Sequence, residues 1–414
     1  MPDASGWRVT GIDDDGAGFV DPGPGGRRIV VAGALPGDRV RWSDDSPPEI
    51  ESMPSPARRD TRLCSHYPAC GGCRVHHMSD ATYTGWKSGK LESALAARGI
   101  ELPNPREPLR AVSLRTRRRV VLTAKAEGGH YALGFHEHRS HTVIDLDDCA
   151  VITPAIVAAL GAFKEIARIV SGGGECRLTV LDVGNGLDVS IETVRQRRLE
   201  GAAAALTAIA AKARILRITI NSEPLLMRAK PLLAVSSVAV EPPPGVFVQA
   251  AAEAEAAMVE IATEAIVAAR AKTAADLFSG LGAFTFAIAR RALLLAIDND
   301  RAAIAALNAG ARSATGLKPI EAKVRDLFRD PLSPRELDRI DAVVFDPPRA
   351  GAQAQAKALA ASKVKAIVAV SCNLSTLARD LRLLIDGGYR LDRAVAVDQF
   401  LFTPHLEAVA ILSR

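Results

Sequence analysis

After residue 270 the chain repeats one rhythm four times: a short apolar run closes on a polar residue and passes into helix-forming sequence. The runs are "TAADLF", "LLLAID", "IDAVVFD" and "VKAIVAVS". Strands of this kind, buried on both faces and separated by helices, fit a doubly wound parallel sheet of the α/β class. A helix is expected through 250–271, just after "EPPPG" (241–245) marks a boundary. The ending "LDRAVAVDQF–LFTP–HLEAVAILSR" holds two more strands joined by a turn too short for a crossover. The last strand must therefore run antiparallel, so its beginning lies at the edge where the parallel strands end.

Ligands of open α/β sheets bind beyond those carboxyl ends. Here the ends carry Asp276 with "FSGLG", then Asp298, Asp346 and Cys372. "GLG" (280–282) permits a tight turn against a ligand, but Thr285 stands where a dinucleotide fingerprint has its third glycine, so the signal is weak. A carboxylate such as Asp298 can take both hydroxyls of a ribose, or simply cap the following helix. Asp346 is held in a rigid turn by Pro347 and Pro348. Cys372 lies between a strand and a helix that Ser375 or Asn373 can cap, where the helix dipole favours a thiolate. A lone cysteine is more commonly a small buried hydrophobe. Glu407, at the start of the antiparallel strand, can face Cys372 across one pocket. A thiol nucleophile with a carboxylate base is what methylation of uracil carbon 5 requires. That carbon becomes nucleophilic only after a thiolate adds at carbon 6, and a base must then remove its proton.

Residues 247–414 resemble the catalytic domain of the S-adenosylmethionine-dependent RNA 5-methyluridine methyltransferases. "DLFSGLGAF", "DPPRAG", "SCNLSTLARD" and "DQF…HLE" follow in the family's order. The resemblance implies a class I methyltransferase sheet, Cys372 as nucleophile and Glu407 as base. It also implies S-adenosylmethionine contacts from Gln249, Phe278, Gly280, Asp298, Asp326 and Asp346. Leu374, Ala251 and Ala283 replace the family's usual Pro, Asn and Asn, and Asp298 its commoner Glu. Ala251 and Ala283 are expected to weaken cofactor or uracil contacts.

"CSHYPACGGC" sets Cys64, Cys70 and Cys73 within ten residues, with Cys149 downstream. Four cysteines suit either a structural zinc or an iron–sulfur cluster, and there is only one C-x2-C pair. The branch of the family acting on 23S ribosomal RNA carries a four-iron, four-sulfur cluster on this pattern, which implies Cys64, Cys70, Cys73 and Cys149 as ligands. Cys176 falls to the core, and His66, His76 and His77 to the surface. The strands of residues 7–43 suggest a small antiparallel barrel, and "GALPGDRV" resembles the TRAM domain, an OB-like RNA-binding module. The resulting division is a TRAM-like barrel at 1–56, an α+β domain with metal cluster and RNA contacts at 57–243, and a catalytic domain at 244–414.

No run reaches membrane-span length and no signal peptide opens the chain, so a cytoplasmic protein, a monomer without membrane contact, is expected. Net charge is +5, yet residues 1–60 hold 11 acids against 7 bases. Phosphate contacts are therefore expected from "LRTRRR" (114–119), "RQRR" (195–198) and "MRAK" (227–230), unless these are solvated strand faces. The cluster favours 23S rRNA as substrate over the T-loop uridine of tRNA. A catalytically silent RNA-binding factor is disfavoured by the joint presence of Cys372, Glu407 and Asp346. A DNA cytosine-5 enzyme is disfavoured by Ser371, where a Pro-Cys motif would place proline.

Overall fold

The computed structural model describes residues 6–21, 27–43, 46–53, 55–193 and 201–414. Its largest sheet contains β1 (Thr273–Leu277), β2 (Leu293–Asp298), β3 (Ile320–Val324), β4 (Ala342–Phe345), β5 (Ala366–Ser371), β6 (Arg390–Asp398) and β7 (Glu407–Ser413). They lie in the order β3-β2-β1-β4-β5-β7-β6, and the two-residue strand Arg110–Ala111 adds to the outer edge of β6. The four expected apolar strands are β1, β2, β4 and β5, and β7 is antiparallel to both neighbours as expected. Strand order reverses between β1 and β4, the place where such sheets bind ligands.

β3 has no apolar signature because "IEAKV" lies at the sheet edge and is largely solvent-facing. One face of the sheet packs on Ala252–Ala268 through Met258, Ile261 and Ala262. The other buries Leu377, Leu381 and Leu384 of the helix Leu374–Asp386 together with Leu91 and Leu95 of the helix Asp80–Ala96. Sequence before residue 112 thus completes both the sheet and its covering layer.

The middle of the chain forms a seven-stranded mixed sheet. Its core joins Leu122, Leu178, Val189 and Ile218 to Phe163 and Ile166 of the helix Leu160–Ser171. Five of its strands match the alternating or apolar runs of the sequence. His130–His136 and Glu223–Met227, short pieces that each follow another strand through a tight turn, do not stand out there. Residues 7–52 contribute two three-stranded antiparallel sheets around Val9, Val20, Val31 and Val40. Among the described residues no helix is long and apolar enough to cross a membrane.

Candidate active site

β5 ends at Ser371, and the next turn is fixed by Asn373. Its side chain caps the helix Leu374–Asp386, accepting from the Ser375 and Thr376 amides. The same side chain donates to the Arg349 carbonyl at 3.0 Å, tying the β5 turn to the Asp346–Arg349 turn after β4. Cys372 is half-buried between them. Burial pushes its thiol up, the Glu407 and Asp346 carboxylates push the same way, and Arg349 opposes them. The expected dipole-favoured thiolate is thus corrected: desolvation and two acids outweigh the helix end, and the resting group is a thiol.

The antiparallel β7 brings Glu407 to this edge, its neighbour Ala408 paired with Ser371. Glu407 is buried, and Gln399 Nε2 donates to its Oε1 at 2.9 Å. The same nitrogen donates to Gln249 Oε1 at 2.6 Å, and Gln249 Nε2 donates to Asp346 Oδ2 at 2.8 Å. Burial first raises both Glu407 and Asp346 far above ordinary carboxylates; Asp346 adds to the shift of Glu407 and Glu255 to that of Asp346, so the site favours keeping a proton. Gln399 carries no chemistry on its own sequence position and was not among the expected site residues. Arg118 was also missed as part of this site: its guanidinium is buried beneath it, donating to the Gln249 carbonyl at 3.1 Å and to Glu255 at 2.6 Å.

On the other side, β1 turns through Phe278 and Gly280, with φ of 64° and 51°. A non-glycine residue in that region is strained and is found where function demands a particular turn. The Gly280 amide donates to Asp298 Oδ2 and the Asp300 amide to Asp298 Oδ1, both at 2.8 Å. Asp300, not Asp298, caps the following helix, so capping is not what Asp298 is there for. Phe278 and Phe328 meet with ring centroids 5.4 Å apart, and Asp326 accepts from the Phe328 amide at 3.0 Å. Two aromatic rings beside the Asp298 and Asp326 carboxylates are side-chain types that can contact an adenosine. Thr285 donates to Asp276 Oδ2 at 2.6 Å, while Asp276 Oδ1 and Ser279 Oγ are buried with no hydrogen-bond partner among the described residues. These orphaned atoms near the strand ends fit a polar ligand there.

Cys64, Cys70, Cys73 and Cys149 line one cavity of about 500 Å³, together with Arg117, Gln399 and Phe400. Burial pushes Cys73 up, and the other three thiols add to it. As the side chains stand, no set of three or more His, Cys, Asp or Glu among the described residues is arranged to hold a metal ion. His76 corrects the surface expectation: it is buried, edge-on to Phe402 at 4.1 Å, and burial lowers it to about 4. Cys176 is core, as expected.

In the basic track several cations already have partners within the chain. Arg115 pairs with Asp148, Arg118 with Glu255, and Arg119 donates to the Val246 carbonyl. Arg228 donates to the Ala210 carbonyl and Lys230 pairs with Glu241. "RQRR" lies outside the described residues. Cations also gather elsewhere: Lys90, Arg98 and Arg349 line an open groove of about 640 Å³ that contains Cys372.

Residues 207–414 match the family model described as tRNA (Uracil-5-)-methyltransferase. An uncharacterized RNA methyltransferase of Brucella suis is 40% identical over 98% of this chain and 97% of its own. The 23S rRNA (uracil(1939)-C(5))-methyltransferase of Chromohalobacter salexigens is 30% identical over 99% and 90%. Among solved structures, the Pyrococcus abyssi tRNA (uracil-54, C5)-methyltransferase in complex with S-adenosyl-L-homocysteine superposes with a TM-score of 0.73. It covers 98% of this chain and 100% of its own at 21% identity, a likeness of fold.

Proposed function

The chain belongs to the tRNA (uracil-5-)-methyltransferase family and is an S-adenosylmethionine-dependent RNA methyltransferase, and from that premise we propose that Cys372 and Glu407 carry the reaction on one uridine of 23S rRNA. The convergence of Cys372, Glu407 and Asp346 on one sheet edge carries this reading. Cys372 gives up its thiol proton to solvent, the thiolate adds to uracil carbon 6, and the pair of electrons displaced from the carbon 5–carbon 6 double bond makes carbon 5 nucleophilic. S-adenosylmethionine supplies the methyl group that carbon 5 takes. Gln249, Phe278, Gly280, Asp298, Asp326 and Asp346 are the residues to hold it. Glu407 then removes the carbon 5 proton, the double bond re-forms, and the carbon–sulfur bond breaks to release Cys372 as thiolate.

The rRNA target rests on the Chromohalobacter relative and on the cysteine pattern. A tRNA uridine is the second reading, favoured by the name of the family model. Four thiols lining one cavity, on the cysteine pattern of the 23S rRNA branch, are read as ligands of a four-iron, four-sulfur cluster. Its negative thiolates would face Arg117. The groove beside Cys372 is the path for the RNA strand, and residues 1–56 are read as a TRAM-like barrel ahead of the central (57–243) and catalytic (244–414) domains. The protein is taken as a cytoplasmic monomer.

The test is single-turnover reaction with RNA and S-adenosylmethionine. Cys372→Ala should abolish methylation and leave cofactor affinity within about twofold. Glu407→Gln should trap a methylated protein–RNA adduct that survives denaturation; the absence of any adduct would make Glu407 a structural acid.

A further inference from the structure

The amide of Gln399 is 2% exposed, and every hydrogen-bonding position it has is occupied. Its Oε1 accepts from the Ala250 amide at 2.8 Å and the Ala251 amide at 3.4 Å. Its Nε2 donates to Gln249 Oε1 at 2.6 Å and to Glu407 Oε1 at 2.9 Å. Two backbone N–H groups can meet only an oxygen, so they fix which end of the amide faces Glu407. With its own oxygen engaged, Gln249 can offer only Nε2 to Asp346, and does so at 2.8 Å. The result is one continuous chain, Asp346–Gln249–Gln399–Glu407, anchored to the backbone at its centre. At its end, Glu407 Oε1 is held, while Oε2 is buried with no hydrogen-bond partner among the described residues.

We propose that Gln399 is a positioning residue for the base: it ties down Oε1 of Glu407, so that Oε2 alone receives the carbon 5 proton. This rests on the reading of Glu407 as the base. Proton removal puts the carbon 5 hydrogen on Oε2, returns its electron pair to the carbon 5–carbon 6 bond and expels the Cys372 thiolate. The groups facing Glu407 are Asp346, which opposes its ionisation, Arg349, which favours it, and the Cys372 thiol, whose own ionisation Glu407 opposes. Gln399 adds a donor to the ionised form, so removing that donor makes the carboxylate harder to form.

The experiment compares wild type, Gln399→Met and Glu407→Gln in single turnover, following tritium release from RNA carrying 5-tritiated uridine and the amount of denaturation-resistant adduct. Methionine keeps the length of glutamine and removes its hydrogen bonds. In Gln399→Met, release should slow roughly 10-fold or more with adduct persisting. Half-maximal release should move to higher pH, and RNA affinity should stay within about twofold. If Glu407→Gln traps adduct and Gln399→Met clears it at the wild-type rate and pH, the positioning role is overturned. If Glu407→Gln traps none, the base assignment itself fails. Gln249→Met gives an independent check should Gln399→Met not fold. It leaves the Gln399–Glu407 bond in place, so it should weaken cofactor binding without trapping adduct; trapped adduct there would also overturn the proposal.

Discussion

Lys87 on the helix Asp80–Ala96 reaches Asp398 at the end of β6 with an Nζ–Oδ1 distance of 2.8 Å, and both side chains are fully buried. The ammonium also donates to the carbonyls of Phe400 and His405, and the Tyr83 hydroxyl meets the other oxygen of Asp398. This one lysine therefore fastens the helix to the turn that separates Gln399 from Glu407. Removing one member of such a pair leaves an unpaired buried charge, at about 3–5 kcal/mol. Lys87→Met should lose stability on that scale in urea unfolding, and adding Asp398→Leu should regain part of it. A loss below about 1 kcal/mol would mean that water reaches Asp398.

Asp276 makes stability depend on pH. Its side chain is fully buried, and burial raises it to about 7, with Asp346 and Asp298 adding to the shift and the Thr285 hydroxyl opposing it. A carboxyl whose folded pKa is raised stabilises the fold fully below its unfolded pKa, and that contribution is lost as pH rises through about 7. Between the unfolded value near 4 and that point the loss runs at up to about 1.4 kcal/mol per pH unit, and above it the loss levels off. Asp276→Asn cannot ionise. The ligand-free wild type should therefore lose melting temperature relative to Asp276→Asn between roughly pH 4 and pH 7. Parallel curves would show that Asp276 does not titrate there.

How much of this was legible depended on whether a residue's role was local. β1, β2, β4 and β5 announced themselves because strands covered on both faces must be apolar throughout. The antiparallel β7 followed from a turn too short to cross over, and this put Glu407 beside Cys372 before any coordinates. Arg118 and Gln399 could not be read in the same way. Arg118 sits in a run of arginines that looks like a phosphate track, and only the pairing of distant segments turns it under Gln249. Gln399 gains its place from the Ala250 amide, 149 residues away in sequence. The resting state of Cys372 was misjudged because a helix end is visible in sequence and the net desolvation of a pocket is not.

For the four cysteines, protein purified without oxygen should be brown and carry about four irons and four sulfides per chain. Replacing Cys64 or Cys149 by Ser should remove the colour. Colourless protein with one zinc per chain would overturn the iron–sulfur assignment and leave a four-thiolate zinc site.

The two groups of cations should separate cleanly by salt. Arg118 and Arg119 are engaged with Glu255, Gln249 and Val246, so replacing them by Ala should lower stability and leave the salt dependence of RNA binding unchanged. Lys90 and Arg349 line the groove that contains Cys372. If each meets a phosphate there, Lys90→Ala and Arg349→Ala should each reduce the slope of log affinity against log salt by about 0.7 to 0.9. Arg349 also faces Glu407 and the Cys372 thiol, so its replacement should slow turnover as well, whereas Lys90→Ala should act on affinity alone. An unchanged slope in both groove variants, with a reduced slope in Arg118→Ala, would return the RNA grip to the arginine run and require that segment to open when RNA binds.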